Sequence, residues 1–209
     1  MKLQKNSKSL QPNELKQKCQ RIFSNRGNNE DRQFWKHLDD CIPDCGCERV
    51  KVSPFSLGRI ESQEKLVTAI TNPNYVIKDT GEVEVTFFDQ RLGSGLSGDR
   101  LDHTDAVSFD KRINDLVKSD PDKRKTYEGV IVFSVQKLRS ILDKNNRCFA
   151  VYDTATQENP SHSEVVQTNH PQNIPRKERT RLRANIRKRI VETLAYKGCV
   201  ISSQEVFQN

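Results

Sequence analysis

Two apolar runs separated by a short amphipathic segment dominate the pattern of hydrophobic positions. Residues 129–133 and 148–152 are apolar on both faces, which is typical of strands covered on both sides. Between them Ser134 can cap a helix of two to three turns, and Asn145 can end that helix in a left-handed conformation. We predict a strand, helix, strand unit. A right-handed crossover would make its two strands run in the same direction.

The pattern of residues 12–88 predicts three helices and one hairpin. Helical spacing begins at Pro12, a second helix is predicted over residues 30–41, and the two together predict a helical hairpin. Residues 57–71 predict a further helix with Leu66, Val67 and Ile70 inward. Residues 75–78 and 82–88 predict a β-hairpin around Asp79-Thr80-Gly81.

Glycine and polar segments interrupt the rest of the chain. Residues 91–100 hold three glycines, which predicts a loop, and a helix is expected within residues 101–117. The longest helical pattern covers residues 176–196, and a short strand is expected at residues 199–201. The apolar positions of the long helix follow one another at four-residue steps: Leu182, Ile186, Ile190 and Leu194.

These elements predict an α+β fold. We expect a small mixed β-sheet with flanking helices, an N-terminal helical hairpin and a C-terminal basic amphipathic helix. The expected segments are a disordered basic tail (1–11), a helical region with a cysteine cluster (12–48), an α+β core (49–170), and a linker with the basic helix and tail (171–209).

Composition narrows the class of protein. A mean hydropathy of -0.80 and 30% charged residues make the chain less apolar than a compact domain usually is, so part of it should be exposed or extended. The sequence has no apolar stretch of the roughly 18 residues that a membrane span needs, and its N-terminus lacks the apolar core of a signal peptide. We therefore expect a soluble cytoplasmic protein with no membrane partner.

The net charge of +7 is distributed unevenly along the chain. The first 29 residues carry seven Lys or Arg and one acid, and residues 176–189 carry eight and one. Residues 30–175 carry 19 cations and 24 acids, a net charge of -5. Basic ends on an acidic body predict an anionic partner, of which nucleic acid, DNA or RNA, is the commonest kind.

The predicted C-terminal helix is the main candidate for contact with that partner. Its eight cations are Arg176, Lys177, Arg179, Arg181, Arg183, Arg187, Lys188 and Arg189. The segment has no aromatic residue before Tyr196, so we expect phosphate contact and not base stacking. Two alternatives are that the arginines pair with the acidic body, and that the helix docks on a protein partner.

A cysteine cluster predicts a second kind of chemistry. His37, Cys41, Cys45 and Cys47 supply four zinc-type ligands within eleven residues, the number that a closed zinc site needs. A Cys-x-Cys spacing is unusual for zinc modules, which normally bring a second ligand pair from a distant element. The alternative is a turn with reduced thiols.

Two polar segments predict a third site. His103, His162, Glu164, Asp99 and Arg100 would converge if the loops that hold them leave the same edge of the sheet. A histidine near a carboxylate can act as a general base, and an arginine can hold a phosphate or a carboxylate. The alternative is that His162 and its neighbours cap a turn and satisfy backbone groups.

The same segments carry a resemblance. A glycine loop ends in Leu-Ser-x-Asp-Arg, a Tyr-x-Gly strand precedes a short helix with Leu-Arg, and a second strand precedes Asn-Pro-x-His-x-Glu. Over residues 74–164 this resembles uncharacterised small bacterial proteins associated with mobile or defence loci. The resemblance implies a shared fold and an antiviral-defence or mobile-element setting, and it implies no reaction.

We therefore hypothesise a non-catalytic subunit that binds nucleic acid or assembles into a larger complex of that setting. The first alternative is an enzyme that uses His103 and His162, with Glu164 and Arg100, on a nucleotide-like or phosphorylated substrate. The second is an adaptor that docks on a protein through its C-terminal helix. Zinc is the one cofactor that the sequence suggests.

Overall fold

Seven helices are described in the computed structural model, which covers residues 11–26, 31–42, 45–91, 95–143, 145–168, 176–194 and 199–208. The helices are α1 (Pro12–Ser24), α2 (Asp31–Cys41), α3 (Val85–Arg91), α4 (Ala106–Lys118), α5 (Val135–Arg139), α6 (Arg176–Leu194) and α7 (Ser203–Phe207). The predicted tail before residue 11 lies outside the described residues. Helices α1, α2, α4 and α6 confirm four of the predicted helical segments.

Five of the nine described strands form one sheet. The strands are β1 (Lys65–Ile70), β2 (Val76–Ile77), β3 (Glu82–Val83), β4 (Leu96–Arg100), β5 (Gly129–Ser134), β6 (Leu142–Asp143), β7 (Asn146–Arg147), β8 (Phe149–Tyr152) and β9 (His162–Gln167). The main sheet has the order β5-β1-β4-β9-β8, and every neighbouring pair is antiparallel. The α+β class is confirmed, and the expectation of a mixed sheet is wrong.

The predicted strand, helix, strand unit is present as β5, α5 and β8. An additional hairpin, β6–β7, lies between α5 and β8. Because directions alternate across the sheet, β5 and β8 run the same way, although they form its opposite edges. The Ser134 side chain caps α5, as predicted, by accepting a bond from the backbone N–H of Lys137. Helix α5 is short, and the left-handed Asn145 lies in the β6–β7 hairpin that follows it.

Three predictions of local structure are wrong. Residues 65–70 form the strand β1 and not a helix, because β4 and β5 pair with its two edges. The glycine-rich segment contributes β4, which lies at the middle of the sheet. The predicted second strand of the hairpin ends at Val83, after which α3 buries Phe87 and Phe88.

One face of the sheet holds the largest apolar core. Alternate strand residues such as Leu66, Phe133 and Val165 pack there against Phe87 of α3 and Leu138 of α5. Helix α6 joins the same core through Ile186 and lies against α3 and β5. The amphipathic stripe predicted for the C-terminal helix is therefore in contact with the core at this residue.

The other face of the sheet is covered by two separate helical layers. Helices α4 and α7 cover the β5–β1 side, where Phe109 packs on Val67 and Val130. Helices α1 and α2 cover the β8–β9 side, where Ile22 and Leu38 pack with Tyr152, Ala150 and Val166. The middle strand β4 lies between the two layers.

The N-terminal helices pack on each other as predicted. The Phe23 and Phe34 rings meet edge to face with centroids 5.3 Å apart, and Lys18 Nζ donates to the Cys41 carbonyl at 3.0 Å. In the part of the chain that is described, no helix combines the length and the apolar character needed to cross a membrane.

Candidate functional site

Helix α6 presents exposed cations to solvent. Of its eight Lys and Arg, the described side chains of Lys177, Arg181, Lys188 and Arg189 are all exposed. Among the described residues, the one ion pair of this helix joins Lys188 to Glu192 at 3.9 Å, inside the helix itself. Within the described residues, no ion pair joins these four side chains to a carboxylate outside the helix. The side chains of Arg176, Arg179, Arg183 and Arg187 lie outside the described part.

A shallow cavity runs along this helix. It has a volume of about 490 Å³ and lies between Ser140 and Ile141, after α5, and the α6 residues Asn185, Lys188 and Arg189. Glu192 is the acid of the lining, so two cations face one carboxylate. The cavity is open and polar, which suits a charged, extended ligand better than a buried apolar one.

Arg100 belongs to a buried structural network and is not available to a ligand. Its Nε and Nη2 atoms donate to the two oxygens of Glu64 at 2.7 and 2.9 Å, and its Nη1 donates to the Gly58 carbonyl at 2.8 Å. Asp153 lies 3.5 Å from Nη1, and burial raises the pKa of Asp153. The expectation that Arg100 holds a phosphate is wrong, because these groups already use its donors.

The two predicted histidines have different partners, and their convergence on one site stays a prediction. His103 lies beside the Arg100 network, with Nε2 3.9 Å from Glu64. His162 pairs across the strands with Asp99, which is the neighbour of Arg100 in β4. Successive strand residues point to opposite faces, so the Arg100 and Asp99 side chains lie on different faces of the sheet.

His162, Glu164 and Asp99 share the face that the two helical layers cover. Arg112 of α4 donates to Asp99 and, at 3.0 Å, to Thr104 Oγ1. Arg26, just after α1, forms a bidentate ion pair with Glu164: its Nη1 donates to Oε2, and its Nη2 donates to Oε1 at 2.9 Å. Sequence reasoning missed both arginines, because Arg26 is 138 residues from its partner and Arg112 is in a helix with no motif.

Sequence reasoning also missed the buried carboxylate of Glu48 and its arginine partner. Glu48 accepts bonds from Arg147 Nη1 and Nη2 at 2.7 and 2.9 Å and from the backbone N–H of Val151. Burial opposes the charge of Arg147, but the hydrogen bonds and the charge of Glu48 outweigh it and raise the pKa of Arg147. This pair ties the turn after α2 to the edge strand β8.

The predicted zinc ligands are divided between two environments. Cys47 forms a disulfide with Cys19 of α1, and burial raises the pKa of the Cys45 thiol to about 11. His37 Nε2 lies 3.5 Å from Cys41 Sγ at the end of α2. No group of three or more His, Cys, Asp or Glu side chains is placed to hold a metal within the described residues. The expectation that Cys47 is a reduced thiol is wrong in this structure, and zinc stays a prediction.

Comparison with other proteins adds no assignment. Neither protein-family models, nor curated proteins, nor solved structures match this chain.

Proposed function

We propose that the protein is a non-catalytic subunit that binds nucleic acid through α6 and works within a larger complex. The observation that carries the proposal is the exposure of Lys177, Arg181, Lys188 and Arg189 on a helix whose Ile186 is anchored in the core. A helix fixed on one side and cationic on the other holds several charges at spacings that a phosphate backbone can meet.

The contacts expected are electrostatic and independent of base sequence. The α6 segment has no aromatic residue to stack on a base, and Lys and Arg are the usual donors to phosphate oxygens. The acidic body favours this arrangement further, because its negative charge repels nucleic acid from the other surfaces. Four phosphate contacts, one for each described cation, would give a slope of about -3.6 for log affinity against log salt on duplex DNA.

The test is a binding titration with short DNA and RNA duplexes at several salt concentrations. We expect Lys188→Glu combined with Arg181→Glu to weaken binding and to reduce the slope to about -1.8, because two phosphate contacts are lost. The matched control reverses two exposed lysines on α4, Lys111→Glu with Lys118→Glu, which changes the net charge equally on another face. Equal losses for the two double variants, or affinity that ignores salt, would contradict a site on α6.

The role within a complex needs a separate measurement. Purification from the native host should recover partner proteins together with nucleic acid, and nuclease treatment should remove those held only through the nucleic acid. An adaptor gives a different result. Its partners would survive nuclease and would be lost from the α6 double variant, which would replace the nucleic-acid proposal with a protein-docking role for this helix.

A further inference from the structure

The cavity beside α6 has a carboxylate among the cations that are proposed to contact phosphates. Glu192 lies in its lining together with Lys188 and Arg189, which precede it by about one turn of the same helix. Residues at these spacings are neighbours on one helix face. An ionised carboxylate can only accept hydrogen bonds and repels phosphate, so a ligand that fills the cavity must bring a donor to Glu192.

The ion pair with Lys188 does not satisfy this carboxylate. Lys188 Nζ and Glu192 Oε1 are 3.9 Å apart, which is longer than a hydrogen bond, and the two side chains are 77% and 59% exposed. Exposed pairs of this kind contribute little stability, so a ligand can replace the contact at little cost. Glu192 is thus an acceptor that is accessible from the cavity.

A second acceptor lies on the other wall of the cavity. The Ser140 hydroxyl donates its hydrogen to the Lys137 carbonyl oxygen at 2.8 Å, so its oxygen offers a lone pair to a ligand. The cavity therefore combines two cations with two acceptors. Its volume of about 490 Å³ is within the range of roughly 300 to 1,000 Å³ that is typical of small-molecule sites, so it has room for a sugar and its phosphate.

On the basis of the proposed function, we infer that the nucleic acid bound by α6 is RNA, and that this cavity binds one ribose together with its phosphate. Lys188 and Arg189 donate to the phosphate oxygens, and Glu192 accepts a hydrogen bond from the 2′-hydroxyl. The 2′-hydroxyl and the 3′-phosphate are attached to neighbouring carbons of one ribose. A carboxylate and a cation one helical turn apart match this arrangement.

DNA offers no matching donor at this position. Deoxyribose lacks the 2′-hydroxyl, and the amino groups of the bases lie in the grooves and not beside the phosphates. A DNA strand in the cavity would place phosphate oxygens near Glu192 without a hydrogen bond, and the like charges would repel each other. RNA should therefore bind more tightly than DNA of the same sequence, and removal of Glu192 should abolish the difference.

The experiment compares three duplexes of one sequence at one salt concentration: RNA, DNA, and RNA with 2′-fluoro groups in place of the 2′-hydroxyls. The 2′-fluoro duplex keeps the A-form shape but has no hydroxyl donor, so it separates recognition of the hydroxyl from recognition of the shape. We expect a Kd for RNA that is about three- to tenfold lower than the Kd for either of the other duplexes, as one hydrogen bond contributes.

Two variants of α6 locate the source of this preference. Glu192→Ala should bring the Kd values for RNA and DNA to within about twofold of each other, because the acceptor and the repulsion are both lost. Glu178→Ala is the matched control, since Glu178 is an exposed acid in the first turn of α6, at the other end of the helix from the cavity. It changes the net charge equally and should keep the preference for RNA. Alanine favours the helix at both positions, so both variants should fold.

The outcomes separate this inference from the proposed function. Equal affinities for the three duplexes would overturn recognition of RNA and leave nucleic-acid binding by α6 intact. A preference for RNA that the 2′-fluoro duplex shares, or that survives in Glu192→Ala, would also overturn it, because the shape or another residue would then be the basis of the preference. Failure of all three duplexes to bind would contradict the proposed function itself.

Discussion

Arg100 shows how one residue can look functional in the sequence and be structural in the fold. Its guanidinium is buried and binds both oxygens of Glu64, the Gly58 carbonyl and Asp153. Ser56 donates to the same Asp153 carboxylate, so the network holds the segment before β1 against the ends of β4 and β8. A buried cation of this kind is stable only while all its partners remain.

Replacing Arg100 should therefore destabilise the protein strongly. We expect Arg100→Gln to lower the free energy of unfolding by about 3 to 5 kcal/mol, because Glu64 and Asp153 are left buried without their cation. The control is Arg59→Gln, because Arg59 is exposed and its Nε lies 3.5 Å from Glu61 Oε1 in a surface ion pair. This substitution should lower the free energy of unfolding by only about 0 to 1 kcal/mol. Urea unfolding followed by circular dichroism measures both, and similar costs would contradict a structural role for Arg100.

At the scale of an element, the strand β4 also has a role in the fold that differs from the one its sequence predicts. Three glycines in ten residues predict a loop, yet β4 is paired on both edges. A Cβ at Gly98 would lie 2.8 Å from Thr68 Oγ1 and 3.2 Å from the Val67 carbonyl oxygen of β1. The glycine is thus needed for close approach of two strands, a role that a single sequence does not distinguish from a turn.

Adding a methyl group at Gly98 tests this explanation. Thr68 Oγ1 donates to the Ser97 carbonyl at 3.0 Å, so it cannot rotate away without losing that bond. We expect Gly98→Ala to reduce the free energy of unfolding by about 1 to 3 kcal/mol. Ser97→Ala is the neighbouring control, because its side chain is exposed, and it should change stability by less than about 0.5 kcal/mol. The same small change for both variants would argue against a steric requirement.

At the scale of the whole molecule, a covalent link and buried ion pairs connect the N-terminal helices to the sheet. The Cys19–Cys47 disulfide joins α1 to the turn after α2, and Arg26 joins the end of α1 to Glu164 of β9. The two cysteines are 28 residues apart in sequence. In the chain-entropy account, the cross-link lowers the entropy of the unfolded chain and so raises the free energy of unfolding by about 3 to 4 kcal/mol.

Chemical analysis of the unreduced protein tests this link and the zinc hypothesis together. We expect a Cys19–Cys47 peptide pair by mass spectrometry, four thiols after denaturation, and a clear loss of thermal stability for Cys47→Ser. Cys148→Ala is the control, because it removes a buried thiol without a cross-link. Six thiols with one equivalent of zinc by elemental analysis would contradict the disulfide and restore Cys47 as a ligand.

The sequence by itself determined the class of the fold and most of the helices. Side-chain spacing and capping residues act within a few positions of the chain, and this is why α1, α4 and the Ser134 cap were predicted from local pattern. The concentration of cations in residues 176–189 is likewise a property of the sequence, and it carries over to the exposed side chains of α6.

Only the tertiary structure decided which residues meet. The antiparallel order of the sheet placed β5 and β8 at opposite edges, paired Asp99 with His162, and sent Arg100 to the other face. The partners that decide the roles of Glu164 and Cys47, namely Arg26 and Cys19, are distant in sequence or belong to another element. Such contacts depend on strand order and register, which arise from packing of the whole chain and leave no periodicity in the sequence.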